Sequence, residues 1–75
     1  MSFMFEIYYA APEDLEREKR LIAEAAAGGG RLDYRETQPG SICLTFEFGS
    51  QDEAEKVAAT LRQLGEHVEG VSSYG

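Results

Sequence analysis

Two strand-like segments, each followed by an acidic helix start, constrain the fold of this chain more than any other feature. Apolar side chains alternate with others in both segments, at Phe3, Phe5, Ile7 and Tyr9 and again at Ile42, Leu44, Phe46 and Phe48. This period of two predicts strands that bury one face. The acidic pairs Glu13-Asp14 and Asp52-Glu53 follow at similar distances, where they suit the positive end of a helix. The chain therefore looks like two copies of a strand–helix unit.

Two helices and two weaker strands complete the pattern. The first helix is predicted to begin at Pro12, to bury a stripe formed by Leu15, Ile22, Ala25 and Ala26, and to end at the glycines 28–30. The second begins at a capping box of Ser50 and Glu53 and carries apolar residues at Ala54, Val57, Ala58, Leu61 and Leu64. Further strands are predicted over 31–37 and 67–74, with a bulge at Gly70.

The resulting order, β-α-β-β-α-β, predicts an α+β fold. We expect a ferredoxin-like two-layer sandwich with an antiparallel sheet of order 4-1-3-2 and both helices on one face. The length of 75 residues suits one domain over 1–75. The residues expected under the helices are Phe3, Phe5, Ile7, Leu32, Tyr34, Ile42, Leu44, Phe46, Phe48 and Val68.

The opposite side of the sheet, called the open face below, has no covering element in the sequence. Approximate strand pairing predicts three rows across it: His67, Tyr8, Cys43 and Thr37; Glu69, Glu6, Thr45 and Arg35; and Met4, Glu47 and Asp33. The candidate binding or interface residues are Met4, Glu6, Tyr8, Arg35, Cys43, Thr45, Glu47, His67 and Glu69. Because Tyr and Met are enriched at interfaces, a protein partner or a second copy of the chain is the expected occupant.

The net charge of the chain restricts the class of partner that the open face can bind. Lysine and arginine number 7 against 14 acidic residues, which gives a net charge of -7. Nucleic-acid binding needs clustered cations, so no nucleic-acid partner is expected. No run of apolar residues is long enough for a membrane span, and Met1 to Glu6 does not resemble a signal peptide. The expected location is cytoplasmic, with no membrane partner.

The catalytic and ligand-binding hypotheses involve residues of the same open face. The single cysteine, Cys43, excludes an intrachain disulfide, and His67 is expected about 9.6 Å away across two strand spacings. Neighbouring acids would raise the pKa of the Cys43 thiol, so we do not expect the protein to be an enzyme. No cofactor is expected either. The alternative to a protein-interaction or regulatory module is a small-ligand or metal site that uses Glu6, Glu47, His67 and Cys43. A simply solvated sheet face is the third reading.

The second half of the chain carries a resemblance. A strand over Ile42 to Phe48, an amphipathic helix and the segment 64–70 (Leu-Gly-Glu-His-Val-Glu-Gly) resemble the tail of the ribonuclease E inhibitory protein B family. Those proteins are small, acidic and ferredoxin-like, so the resemblance implies regulation by binding a protein partner. Where that family has Tyr-Asp-Gly-Trp, residues 68–71 read Val-Glu-Gly-Val, and no functional residue is carried over. The second half of the chain is also similar to the peptidoglycan-binding SPOR domain. The acidic open face argues against that assignment.

Overall fold

A computed structural model describes residues 1–74 and places four strands and two helices along them. The elements are β1 (Ser2–Ala10), α1 (Leu15–Ala27), β2 (Gly30–Gln38), β3 (Ser41–Phe48), α2 (Gln51–Gln63) and β4 (His67–Tyr74). The strands form one antiparallel sheet in the order β2-β3-β1-β4, which is the predicted order read from the other edge. The α+β ferredoxin-like sandwich expected from the sequence is therefore confirmed.

The core lies between the sheet and the two helices. Its largest fully buried side chains are Phe5, Phe46, Phe48, Ile7, Leu44 and Leu61. The rings of Phe5 and Phe48 stack with centroids 5.3 Å apart. Helix α2 buries Ala54, Val57, Ala58 and Leu61 as predicted, but Leu64 is 64% exposed because the helix ends at Gln63. Burial on both central strands fixes the register, since a slip of one residue would turn every core-facing aromatic ring outward.

Helix α1 begins later, and faces the core differently, than the sequence predicts. Asp14 caps it by accepting a hydrogen bond of 3.0 Å from the Arg17 amide, so Pro12 lies before the helix rather than in it. Its buried residues are Glu18, Leu21 and Ala25, while Leu15, predicted inside, is 59% exposed. The helix is thus rotated so that a carboxylate enters the helix–sheet interface.

A bulge in β2 exchanges the faces of two predicted residues. Leu32 lies opposite Phe46, but Tyr34 lies opposite Thr45, so Asp33 is an extra residue in the ladder. Tyr34, predicted in the core, therefore lies on the open face and is 58% exposed. Arg35, predicted on the open face, turns to the helix side. Both placements correct the sequence-based prediction, which assumed uninterrupted alternation along β2.

The bulge predicted at Gly70 in β4 is confirmed. Gly70 has φ of 82°, a left-handed conformation that glycine adopts without steric cost, and the pairing with β1 shifts there. Val71 consequently packs against the core, and Tyr74 lies opposite Ser2 on the open face. Glycine thus marks the irregularity in β4, whereas no comparable residue marks the one in β2.

Glu18 is held at the helix–sheet interface by two partners. Arg35 donates to both of its oxygens, through Nε at 2.7 Å and Nη2 at 3.0 Å, and the Tyr9 hydroxyl donates as well. Glu18 is 4% exposed, and Glu13 binds the outer side of the same guanidinium. Arg35 is the main cause that lowers the pKa of Glu18, against the opposing effect of burial. A buried carboxylate is tolerated here because its lone pairs are occupied.

Removing the guanidinium tests this contact. We expect Arg35→Met to lower the free energy of unfolding by about 2 kcal/mol, less than for a fully buried pair because the Arg35 side chain is 30% exposed. Arg20→Met is the matched control, since Arg20 lies on exposed helix surface, and it should change stability by less than about 0.5 kcal/mol. Urea denaturation measures both. Equal effects of the two substitutions would contradict the assignment.

The same carboxylate predicts an acid sensitivity. Because folding lowers the pKa of Glu18, its contribution to stability is present above the unfolded value of about 4.3 and is lost as the pH falls through the lower folded value. The free energy of unfolding should therefore decrease on acidification below about pH 4.3. Glu18→Gln should decrease that slope, measured by urea denaturation at a series of pH values. An unchanged slope would assign the acid sensitivity to other carboxylates.

Candidate functional site

Three rows of side chains cross the open face in the observed register. The first row is His67, Tyr8, Cys43 and Glu36. The second is Glu69, Glu6, Thr45 and Tyr34. The third is Ser72, Met4, Glu47 and Arg31.

Eight of the nine candidate residues are therefore on this face, and only Arg35 is not. The row partners from β2 differ from those predicted: Glu36 replaces Thr37, Tyr34 replaces Arg35 and Arg31 replaces Asp33. The three other strands pair in the predicted rows because their alternation matches their burial. Sequence reasoning missed Tyr34, Glu36 and Arg31 as face residues, since the Asp33 bulge carries no sequence signal.

Tyr8 is the centre of the face and touches the groups on both sides of it. Its hydroxyl donates to Glu6 Oε1 at 3.3 Å, and the Cys43 thiol donates to Glu6 Oε2 at 3.8 Å. On the other side the ring meets His67 edge-on, with centroids 6.3 Å apart. His67 Nε2 and Glu69 Oε1 lie 3.1 Å apart. The centre is thus a connected polar and aromatic surface.

The environment disfavours charge on both the thiol and the phenol. Burial raises the pKa of the Cys43 thiol, and the charge of Glu6 adds to this effect against hydrogen bonds from Tyr8 and Thr45. A hydrogen bond to Cys43 and the negative charges of Cys43 and Glu6 raise the pKa of Tyr8 to about 12. At neutral pH both groups are protonated and neutral. This arrangement is opposite to the one that activates a nucleophilic cysteine, which requires neighbouring positive charge.

The predicted metal-binding residues do not converge. Cys43 and His67 lie on strands separated by β1, with Tyr8 between them. Across residues 1–74 no three His, Cys, Asp or Glu side chains are grouped so that they could hold a metal ion. Glu47 is instead bound by Arg31, whose Nε lies 2.9 Å from Glu47 Oε1 and whose hydrogen bond lowers the pKa of Glu47.

Glu6 and Glu69 are adjacent carboxylates of the face, and no lysine or arginine of the described residues binds either of them. They are direct cross-strand neighbours in the β1–β4 ladder. In the described part of the chain, neither makes a salt bridge with lysine or arginine, and the contact of Glu69 is with His67. Like charges directly opposite each other in a sheet are unfavourable, so a cation placed at this position would be stabilising.

Reactivity of the single thiol tests the electrostatic description. Folded protein should react with a disulfide reagent at pH 7.5 more than about tenfold slower than protein unfolded in urea, because the thiol is buried and its thiolate is disfavoured. Glu6→Gln should accelerate the reaction of the folded protein, since it removes one charge that raises the thiol pKa. Labelling as fast in the folded as in the unfolded state would support a reactive cysteine.

Comparisons with known proteins add no relative. The chain matches no family model, no curated protein and no solved structure. The resemblance of the second half to the ribonuclease E inhibitory protein B family therefore stays a prediction from the sequence. Neither helix is long and apolar enough to cross a membrane, as far as residues 1–74 show.

Proposed function

We propose that this domain is a non-enzymatic protein-interaction module that binds a partner through the open face. The observation that carries the proposal is a sheet face that no element of residues 1–74 covers and that nevertheless holds large side chains. Met4 and Tyr8 are half-buried at its centre, and Tyr34 and Tyr74 are 58% and 52% exposed towards its edges. Tyrosine and methionine are enriched in protein interfaces, whereas scattered small polar residues are typical of a solvated sheet face.

The two sheet edges are less suited to a partner than the face. Arg62 from α2 donates to the carbonyl oxygens of Val68 and Gly70 on β4, at 3.3 and 3.1 Å. An added strand would have to displace the guanidinium, and the Gly70 bulge interrupts the ladder at the same place. The bulge at Asp33 interrupts β2 similarly. Such devices are known to block edge-to-edge pairing.

The dimensions of the face favour a transient complex. Four strands about 4.8 Å apart and eight residues at about 3.3 Å give roughly 500 Å². Covering it would bury about 1,000 Å² in total, below the roughly 1,600 Å² of a standard stable interface. A micromolar complex of a regulatory kind fits this area better than an obligate dimer.

A second copy of the chain is a less favoured occupant for an electrostatic reason. A face-to-face dimer would bring Glu6 and Glu69 of one copy against the same acidic surface of the other. Within the three rows described above, the one lysine or arginine is Arg31, and it is already paired with Glu47. Like-charge juxtaposition across an interface is strongly unfavourable. Small-ligand binding is also less favoured, because ligand sites are concave and an open sheet face encloses little volume.

Substitution at the centre of the face tests the proposal. Tyr8→Glu should reduce capture of the partner from a lysate of the native source by more than about tenfold, because it places a charge in the contact. Leu15→Glu is the control, since Leu15 is a large apolar side chain exposed on helix α1, away from the open face, and its substitution should leave capture unchanged.

Circular dichroism checks that both variants fold, and light scattering reports the oligomeric state. Equal capture by wild type, Tyr8→Glu and Leu15→Glu would exclude the open face as the binding surface. A dimer that Tyr8→Glu dissociates would instead identify a second copy as the occupant.

A further inference from the structure

Resting on the proposed function, we infer that the occupant of the open face is a positively charged, extended segment of another protein. Lysine or arginine side chains of that segment contact Glu6 and Glu69. The tyrosines of the open face contact the aliphatic stems and the cationic heads of the same lysine or arginine side chains. The shape of the open face alone does not specify the chemistry of the partner, whereas the proposal does. It depends on three features of the described residues: the charge balance of the face, the unmatched carboxylate pair and the position of the aromatic rings.

The charge balance of the face is one-sided. Four of its row positions are acidic, and they are Glu6, Glu36, Glu47 and Glu69. Within the same rows the one lysine or arginine is Arg31, and it is bound to Glu47. The other arginine predicted here, Arg35, contacts Glu18 on the helix side instead. A partner therefore has to supply cations to complement the face, and the net charge of -7 would steer such a partner towards it.

The unmatched pair marks where a cation would gain most. Glu6 is half-buried and lies directly opposite Glu69 in the ladder, an arrangement in which like charges repel. A guanidinium or ammonium placed between them would interact with two carboxylates at once and remove that repulsion. The Arg31–Glu47 contact, two residues along β1, leaves the neighbouring row already compensated. The cation is therefore expected at the Glu6 row rather than evenly over the face.

One aromatic ring, that of Tyr8, lies next to this position, and a second, that of Tyr34, lies two strands away from Glu6. Tyr34 is in the row of Glu6, and Tyr8 is in the next row and hydrogen-bonded to Glu6. Arginine and lysine heads stack on such rings while contacting carboxylates, which adds to the attraction. Same-face rows are about 6.6 Å apart along a strand, as are alternate residues of an extended peptide. An extended segment lying along β1 would therefore place one cation at the Glu6 row and its next alternate side chains at the Tyr8 and Met4 rows.

A defined peptide tests the inference on the intact chain. The probe is an acetylated eight-residue peptide of alternating arginine and serine, titrated into labelled protein and followed by NMR chemical shifts. Shifts should concentrate on β1 and β4 and weaken as salt is raised. Glu6→Gln with Glu69→Gln should weaken binding by about tenfold or more.

The matched control carries the same change of net charge elsewhere. Glu24→Gln with Glu55→Gln removes two exposed helix carboxylates, so both double variants have a net charge of -5, from -7 plus 2. The control should alter affinity by less than about twofold. Equal weakening in the two double variants, or shifts spread over the helices, would mean attraction to overall charge and would overturn the inference.

Failure of the inference and failure of the proposed function give different results. If Tyr8→Glu abolishes capture of the partner but Glu6→Gln with Glu69→Gln does not, the face binds a partner of other chemistry. If neither variant affects capture, the face is not the binding surface and both proposals fail. Binding of an alternating glutamate and serine peptide as tight as the arginine peptide would also overturn the inference.

Discussion

The contact between Arg35 and Glu18 is the interaction on which the rest of this structure depends. It requires Arg35 to point under the helices, which the chain achieves by inserting Asp33 as an extra residue in β2. The same bulge turns Tyr34 out onto the open face. On the helix side, Glu18 enters the interface and rotates α1, so that Leu15 is exposed. One buried ion pair thus explains both the orientation of a helix and the composition of the opposite sheet face.

The contact also determines how charge is distributed over the molecule. Three of the five arginines in the chain, Arg17, Arg31 and Arg35, are each bound to a carboxylate. Arg62 is engaged by the carbonyls of β4. Cations are therefore used to join elements and to cover an edge, and the surplus of acid remains on the surface. The acidity of the open face is a consequence of where the arginines are needed.

Regular patterns in the sequence predicted the fold, and irregular ones limited the prediction of the site. The alternation of β1 and β3 and the apolar spacing of α2 predicted which residues are buried. Gly70 predicted the bulge in β4, because glycine readily adopts the positive φ found there. The bulge at Asp33 was not predictable from local sequence, and the partner of Arg35 on the helix side, Glu18, lies 17 residues away in the chain. The misplaced row positions all lie on β2, where Arg31 precedes the bulge and Tyr34 and Glu36 follow it, so the pairing with β3 differs from the prediction on both sides of Asp33.

The remaining conflict between sequence and stability lies in the Glu6 row. Elsewhere on the sheet opposite charges meet across strands, as Arg31 and Glu47 do, yet Glu6 faces Glu69. Like charges directly opposite each other in an antiparallel pair are destabilising, and the total stability of a domain of 75 residues is small. A serine or threonine at either position would remove the cost without disturbing the core. Local choices that oppose stability are typical of functional surfaces, so the conflict itself supports a role in binding a cation-bearing partner.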